Sequence, residues 1–228
     1  MLEVQHLVRH FGGVKAVDDV SLSLGDGGML AVIGPNGCGK TTLFNLITGY
    51  LKPTSGQVVF DGVNVHSHSL HGVAQLGIVR KFQVPQVFPD LTAADNVRIA
   101  GSPEPLADLG RMGLGALHQV KAGTLAHGQK QWLELAMTLA AKPKLLLLDE
   151  PAAGMTQAER ATTRALLQAL RQERQLAIML IEHDMKFVDA LDCPVSVMDM
   201  GRVIATGDYE EVRLNPAVRS AYLGLTDA

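Results

Sequence analysis

The stretch GPNGCGKTT, residues 34–42, constrains this chain more than any other. It lies between the apolar run MLAVI and a helical pattern in which Leu43, Leu46, Ile47 and Tyr50 fall close to one face. Glycine weakens helices and strands alike, so Gly34, Gly37 and Gly39 in close succession mark backbone that something must approach closely. Gly34, Gly39, Lys40 and Thr41 satisfy G-x-x-x-x-G-K-[ST], after an expected strand and at the opening of an expected helix. In that context the loop Gly34, Pro35, Asn36, Gly37, Cys38, Gly39 turns backbone N–H groups (Pro35 has none) toward phosphate oxygens. The helix N-terminus at Lys40, Thr41 and Thr42 adds unpaired donors and partial positive charge. Lys40 can reach β- and γ-phosphates, and the Thr41 hydroxyl can ligate Mg²⁺. Cys38, inside the loop near a helix N-terminus, is expected to have a lowered pKa and to react with alkylating agents unless a bound phosphate ligand covers it.

The rest of the chain supplies a sheet to carry this loop. VSLSL alternates as a half-buried strand, with Val20, Leu22 and Leu24 on one face. MLAVI, LLLL (145–148), LAIMLI (176–181) and VSVMDM (195–200) are short apolar runs suited to strands buried on both faces. GQVVFDGVNV reads as a strand and turn. Trp132, Leu135, Ala136, Leu139 and Ala140 form the stripe of a core-facing helix, and QAERATTRALLQALRQER reads as another helix. Strand and helix alternate, which implies an α/β fold with a mainly parallel sheet. Residues 85–129 differ: Pro85, Pro89, Pro103 and Pro105 interrupt a weakly periodic stretch, read as a small helical lobe. The whole, 1–228, is expected to be one domain, with 1–84 and 130–228 forming the core.

LLLL ends in Asp149 and Glu150. Two acids at the end of a buried strand are costly unless a cation meets them. Asp149 is suited to hold Mg²⁺ and Glu150 to activate or orient an attacking water. Composition narrows the alternatives. A net charge of −3 and 4% aromatic residues give no sign of a nucleic-acid partner. The two cysteines, Cys38 and Cys193, have neither metal nor redox spacing. No secretory signal opens the chain, and no apolar run reaches the ~18 residues of a membrane span. Any service to a membrane is expected from its surface.

Taken in order, GPNGCGKTT, RKFQ, LAHGQKQ, LLLLDEP and IEHD resemble the motifs of the nucleotide-binding subunit of an ABC transporter, and the resemblance covers nearly the whole chain. It implies a P-loop NTPase core with an antiparallel β subdomain and a short helical subdomain. It also implies an Mg²⁺-dependent ATPase binding ATP between two subunits placed head to tail. By the resemblance, Gln83 approaches Mg²⁺ and the water, His183 contacts the γ-phosphate, and Phe11 stacks on adenine. Leu125, Ala126, His127, Gly128 and Gln129 occupy the signature, which reaches the γ-phosphate bound to the opposite subunit. The family ideal there is Leu-Ser-Gly-Gly-Gln. Ala126 cannot supply the serine hydroxyl, a loss of about 1.5–3 kcal/mol in hydrogen bonding to a charged group. His127 is either a replacement donor or an ordinary surface residue. Thr156 stands where many relatives have a dimer-bridging aspartate.

FGGVKAVDDVSL, FPDLTAADNV, DEPAAGMT and NPAVRSAYLG resemble the importers of branched-chain amino acids, urea and short amides. That resemblance implies uptake of such a solute and a second ATPase subunit, a non-identical homologue or another copy. It further implies transmembrane permease subunits, a periplasmic substrate-binding protein acting indirectly, and a peripheral place on the cytoplasmic face of the inner membrane. The stretch between Gln83 and Leu125, where the permease would dock, is short for this group. Two rivals stand beside this reading. A soluble ABC-type ATPase acting on nucleic acid or ribosomes usually carries tandem halves or a long coiled coil, and this sequence has neither. A non-hydrolysing regulatory nucleotide binder is disfavoured by the intact Lys40, Asp149, Glu150 and His183.

Overall fold

The computed structural model describes residues 1–81 and 86–223. Its first half runs β1 (Leu2–Phe11), β2 (Val14–Leu24), β3 (Met29–Ile33), α1 (Lys40–Ile47), β4 (Ser55–Phe60), β5 (Val63–Asn64), α2 (Leu70–Leu76) and β6 (Ile78–Lys81). Then come α3 (Ala93–Ile99), α4 (Pro105–Arg111), α5 (His127–Ala140), β7 (Leu145–Asp149) and α6 (Gln157–Arg174). The chain closes with β8 (Ala177–Ile181), α7 (Met185–Ala190), β9 (Val195–Asp199), β10 (Arg202–Gly207), α8 (Tyr209–Leu214) and α9 (Pro216–Leu223).

The larger sheet has the order β10-β9-β3-β8-β7-β6 and is parallel except for the β9–β10 hairpin. The smaller one, β2-β1-β4-β5, is antiparallel throughout. The expected α/β fold is therefore present, with its parallel core and antiparallel β layer.

The apolar runs behave as strands covered on both faces. Along β3, Met29, Ala31 and Ile33 join one core with Leu146, Leu148 and Ile178, while Leu30 and Val32 join a second with Leu145 and Leu147. The first core is shared with α3 to α6; the second lies under α1 and the antiparallel sheet. Each fully buried leucine contributes about 1.5–3 kcal/mol, so a run such as 145–148 holds its helices firmly.

Parallel pairing puts the C-terminal ends of these strands at one edge. Val32 of β3 and Asp149 of β7 both pair with Ile181 of β8. The loops after the three strands consequently leave the sheet at one level, where ligands bind in open α/β sheets.

Three expectations need correction or refinement. Tyr50 is not on the face shared by Leu43, Leu46 and Ile47: α1 ends at Ile47, Gly49 turns with φ +71°, and Tyr50 is 68% exposed. On α5, Leu135, Ala136 and Leu139 are buried, but Trp132 and Ala140 are only half-buried. Trp132 instead donates its indole N–H to Thr163 Oγ1 of α6 at 2.9 Å. Between residues 86 and 129 lie α3 and α4, with Pro105 in the first turn of α4, where its missing N–H costs nothing. Val97 and Leu109 of these helices join the core that contains Leu133 of α5.

β6 was not evident from sequence, because IVRK places Arg80 and Lys81 in a strand of the parallel sheet. Charge argues against such a strand unless partners meet it, and here they do.

Candidate active site

The loop after β3 folds around its own lysine. Lys40 Nζ is nearly buried and donates to the carbonyls of Gly34 at 2.7 Å and Pro35 at 2.9 Å. Gly34 and Gly39 are bare for a reason the pattern did not reveal. A Cβ on Gly34 would lie 2.1 Å from the Met198 carbonyl oxygen, and one on Gly39 the same distance from that of Ala16. Their φ values, +153° and +107°, exclude side chains as well. Gly34 and Gly39 thus let the loop press against β9 and β2, whereas nothing lies within 4 Å of a Cβ on Gly37.

Cys38 corrects an expectation. Its side chain is buried, and burial pushes its thiol up in pKa, with Lys40 offsetting this only partly. A thiol held protonated and inaccessible is a poor nucleophile.

After β7, Asp149 is buried, and its Oδ2 accepts from Arg80 Nη2 of β6 at 2.6 Å. Arg80 also donates to Asn45 of α1 at 2.6 Å and lies over the Phe44 ring. Glu150 follows with φ +49°, a left-handed conformation that costs a non-glycine residue on the order of 1–2 kcal/mol. Its backbone N–H is fixed by the Ile181 carbonyl at 2.9 Å. The turn aims the Glu150 carboxylate at His183 Nε2, to which it is hydrogen-bonded. Strain of this kind at the end of a core strand is typical of functional sites.

Glu182, missed at the sequence level, underlies this pair. It is 3% exposed, and its two oxygens accept the N–H groups of Ala152 at 3.0 Å and His183 at 3.1 Å. Burial pushes its pKa up, and the nearby Glu150 adds to that. The one available signal was a charge directly after the fully apolar AIMLI.

Asn36, Gly37, Gly39, Lys40, Thr41, Thr42, Glu150 and His183 line one cleft of about 190 Å³, together with Ala16 and Ile181. A larger groove, about 600 Å³, runs along α6 and α7 past Arg160, Arg164 and Lys186. The smaller cleft has the backbone donors, lysine and carboxylate that a phosphate reaction needs, so chemistry rather than size identifies the site.

Other expected residues lie elsewhere. Phe11 ends β1, 44% exposed, with the Arg9 guanidinium 4.6 Å from its ring centre. Leu125 to Gln129 form the entrance to α5, outside the cleft. His127 Nε2 donates to the Ala153 carbonyl of its own chain at 3.2 Å. Gly128 packs under the Glu159 carboxylate, which a Cβ there would displace. Gln83 lies outside the described residues.

Ala126 has the extended φ and ψ of an N-cap, −61° and 160°, but its methyl can accept nothing. Only half of a capping box is made: Gln129 Oε1 accepts the Ala126 N–H at 3.0 Å. Ala126→Ser is expected to complete it and to raise the thermal midpoint by about 2–4 °C, measured by calorimetry. An unchanged midpoint would show that this helix end is already satisfied.

The fit to Mg²⁺ can be judged from the donors. Thr41 offers a hydroxyl in the cleft, and Asp149 a carboxylate at the end of β7. Hard oxygens in small number suit an ion that keeps several of its waters. Among the described residues no group of three His, Cys, Asp or Glu could hold a metal by itself.

A family description, ABC transporter, matches residues 17–153, and a second, branched-chain amino acid ATP-binding cassette transporter, matches residues 202–227. This chain belongs to the ABC transporter ATPases. Among curated relatives, the high-affinity branched-chain amino acid transport ATP-binding protein BraF of Pseudomonas aeruginosa is 36% identical, over 98% of both chains. The corresponding protein LivG of Escherichia coli is 34% identical, again over 98% of both. Among solved structures, a nucleotide-free ATP-binding cassette of an ABC transporter superposes with TM-score 0.89 at 30% identity, covering 99% of each chain. A cassette in its ADP conformation gives 0.88 at 31% identity, also over 99% of each. The protein is thus an ATP-hydrolysing, nucleotide-binding subunit of an ABC importer. The reading as a soluble ATPase for nucleic acid or ribosomes is not favoured. Among the described residues no helix is long and apolar enough to cross a membrane.

Proposed function

We propose that this ABC ATPase drives uptake of a branched-chain amino acid, urea or a short amide from the cytoplasmic face of the inner membrane. The observation that carries the catalytic part is the cleft itself, where the glycine loop, Lys40, Glu150 and His183 converge from the ends of β3, β7 and β8. Glu150, held to His183, takes the proton of the attacking water. Lys40 and the N–H groups at the head of α1 bind the β- and γ-phosphates. Phe11 stacks on the adenine. Thr41, Asp149 and Gln83 hold Mg²⁺, which neutralises charge on the phosphate oxygens when bound.

A second ATPase subunit, a non-identical homologue or another copy, faces this one head to tail. Residues 125–129 then cap the nucleotide of the partner, so ATP favours closure through contacts that exist only in the closed state. The helical lobe, 85–129, receives the permease, and a periplasmic binding protein delivers the solute from the other side. Branched-chain amino acids as cargo are supported by relatives named for their transport, while urea and short amides rest on the importer-like motifs.

Reconstitution tests the whole reading. The chain, its partner ATPase and the permease are placed in vesicles, with the binding protein supplied on the outer side. ATP-dependent uptake is measured with labelled leucine, urea and acetamide. Accumulation of one of these is the expected result; ATP hydrolysis without uptake of any would refute the cargo assignment.

A further inference from the structure

Lys81 is the last residue of β6, and its side chain is almost completely buried. Facing it on α5 are Gln131 and Glu134, three residues apart and so on one side of the helix, both also buried. The Lys81 ammonium lies 3.0 Å from Glu134 Oε2 and donates to Gln131 Oε1. The other Glu134 oxygen, Oε1, accepts the main-chain N–H of Gln86 at 3.0 Å. One carboxylate on α5 thereby holds the chain both at the end of β6 and five residues later. At the head of the same helix, His127 is tied to the Ala153 carbonyl, in the turn that follows Glu150.

Cohesion does not explain this arrangement. A buried ion pair recovers in mutual attraction about what it loses in hydration, and an apolar pair of similar volume holds elements together as well or better. What directed polar contacts add is a fixed register, whereas packed leucines tolerate sliding and repacking. The elements fixed here carry the signature segment and the strand beside Asp149, since β6 pairs with β7.

We propose that Lys81, Gln131 and Glu134 are positioning residues for ATP hydrolysis. They set α5 against β6 so that the signature segment and the Glu150–His183 cleft keep one fixed relation. The proposal rests on the reading of residues 125–129 as the segment that meets the nucleotide of an opposed subunit. That relation matters in the closed dimer, where turnover occurs. First binding of ATP to one subunit draws mainly on α1 and its loop, with which Lys81, Gln131 and Glu134 share no hydrogen bond or ion pair among the described residues. The parameter under its control is kcat.

The test compares Lys81→Met, Glu134→Gln and the double variant Lys81→Met/Glu134→Leu in the full chain with its partner subunit. Turnover, equilibrium ATP binding and thermal unfolding are measured for each. Lys81→Met is expected to lose stability, because it strands a buried carboxylate. The double variant is expected to regain most of the stability that Lys81→Met loses, short of the hydrogen bonds to Gln131 and Gln86, while its kcat stays about tenfold to a hundredfold low. Its ATP affinity should remain within about threefold of wild type, the mark of an interaction that acts only at turnover. Recovery of kcat together with stability would mean a purely structural role and overturn the proposal. So would a fall in affinity equal to the fall in kcat. Should the double variant not fold, Glu134→Gln decides by the same split, since its amide oxygen can still accept the Gln86 N–H. Wild-type protein that fails to hydrolyse ATP would refute the catalytic reading instead.

Discussion

Glu150→Gln is expected to lower ATP turnover by about 10²–10⁴-fold, the range that a positioned general base contributes. The substitution preserves shape and the left-handed turn, which is set by the backbone bond from Glu150 N–H to the Ile181 carbonyl. What it removes is the proton acceptor facing His183. Lys40, Thr41 and the loop N–H groups are untouched, so ATP affinity should stay within about threefold, as for a group that acts only in the transition state. The variant should also accumulate as an ATP-bound closed dimer. Phosphate release and equilibrium binding measured on the same preparation separate the two effects. Hydrolysis within about tenfold of wild type would assign the base to another residue.

Lys40→Ala acts on the other parameter. The ammonium is nearly buried and holds the carbonyls of Gly34 and Pro35, so its removal deletes a cation beside the phosphates and loosens the loop that binds them. A charge-assisted hydrogen bond contributes about 1.5–3 kcal/mol. The expected loss of ATP affinity is therefore about tenfold to 150-fold, read by calorimetric titration. Lys40→Arg should not restore it, because a planar five-donor fork does not fit a pocket built around a compact ammonium. Unchanged affinity in the alanine variant would contradict the phosphate-loop assignment.

Much of this site was legible in the chain because its parts are local. Strand, glycine loop, lysine and helix lie consecutively between Met29 and Ile47, and their spacing alone expresses the chemistry. Asp149 and Glu150 stood out as acids ending a leucine run, and His183 followed another apolar run closely. Less was legible where a feature depends on a distant partner. Arg80 and Lys81 concealed β6, because its charges are met by residues far away in sequence, Asn45 of α1, Asp149 of β7, and Gln131 and Glu134 of α5. Tyr50 matched a helical period that the chain abandons at Gly49. Cys38 sits where a helix N-terminus would activate a thiol, yet tight packing of the loop buries it and reverses the expectation.

By itself the sequence determined the strand–loop–helix that meets phosphate, the doubly covered strands of the sheet and the order of the motifs. These follow from backbone conformation and apolar periodicity, which neighbouring residues set among themselves. Only the tertiary structure decided that three loops leave the sheet at the level of Ile181, that Glu182 anchors two of them from below, and that His127 turns to its own chain. Those outcomes depend on which buried charges and carbonyls meet across long stretches of chain, and each pairing exists only once the strands between them have packed.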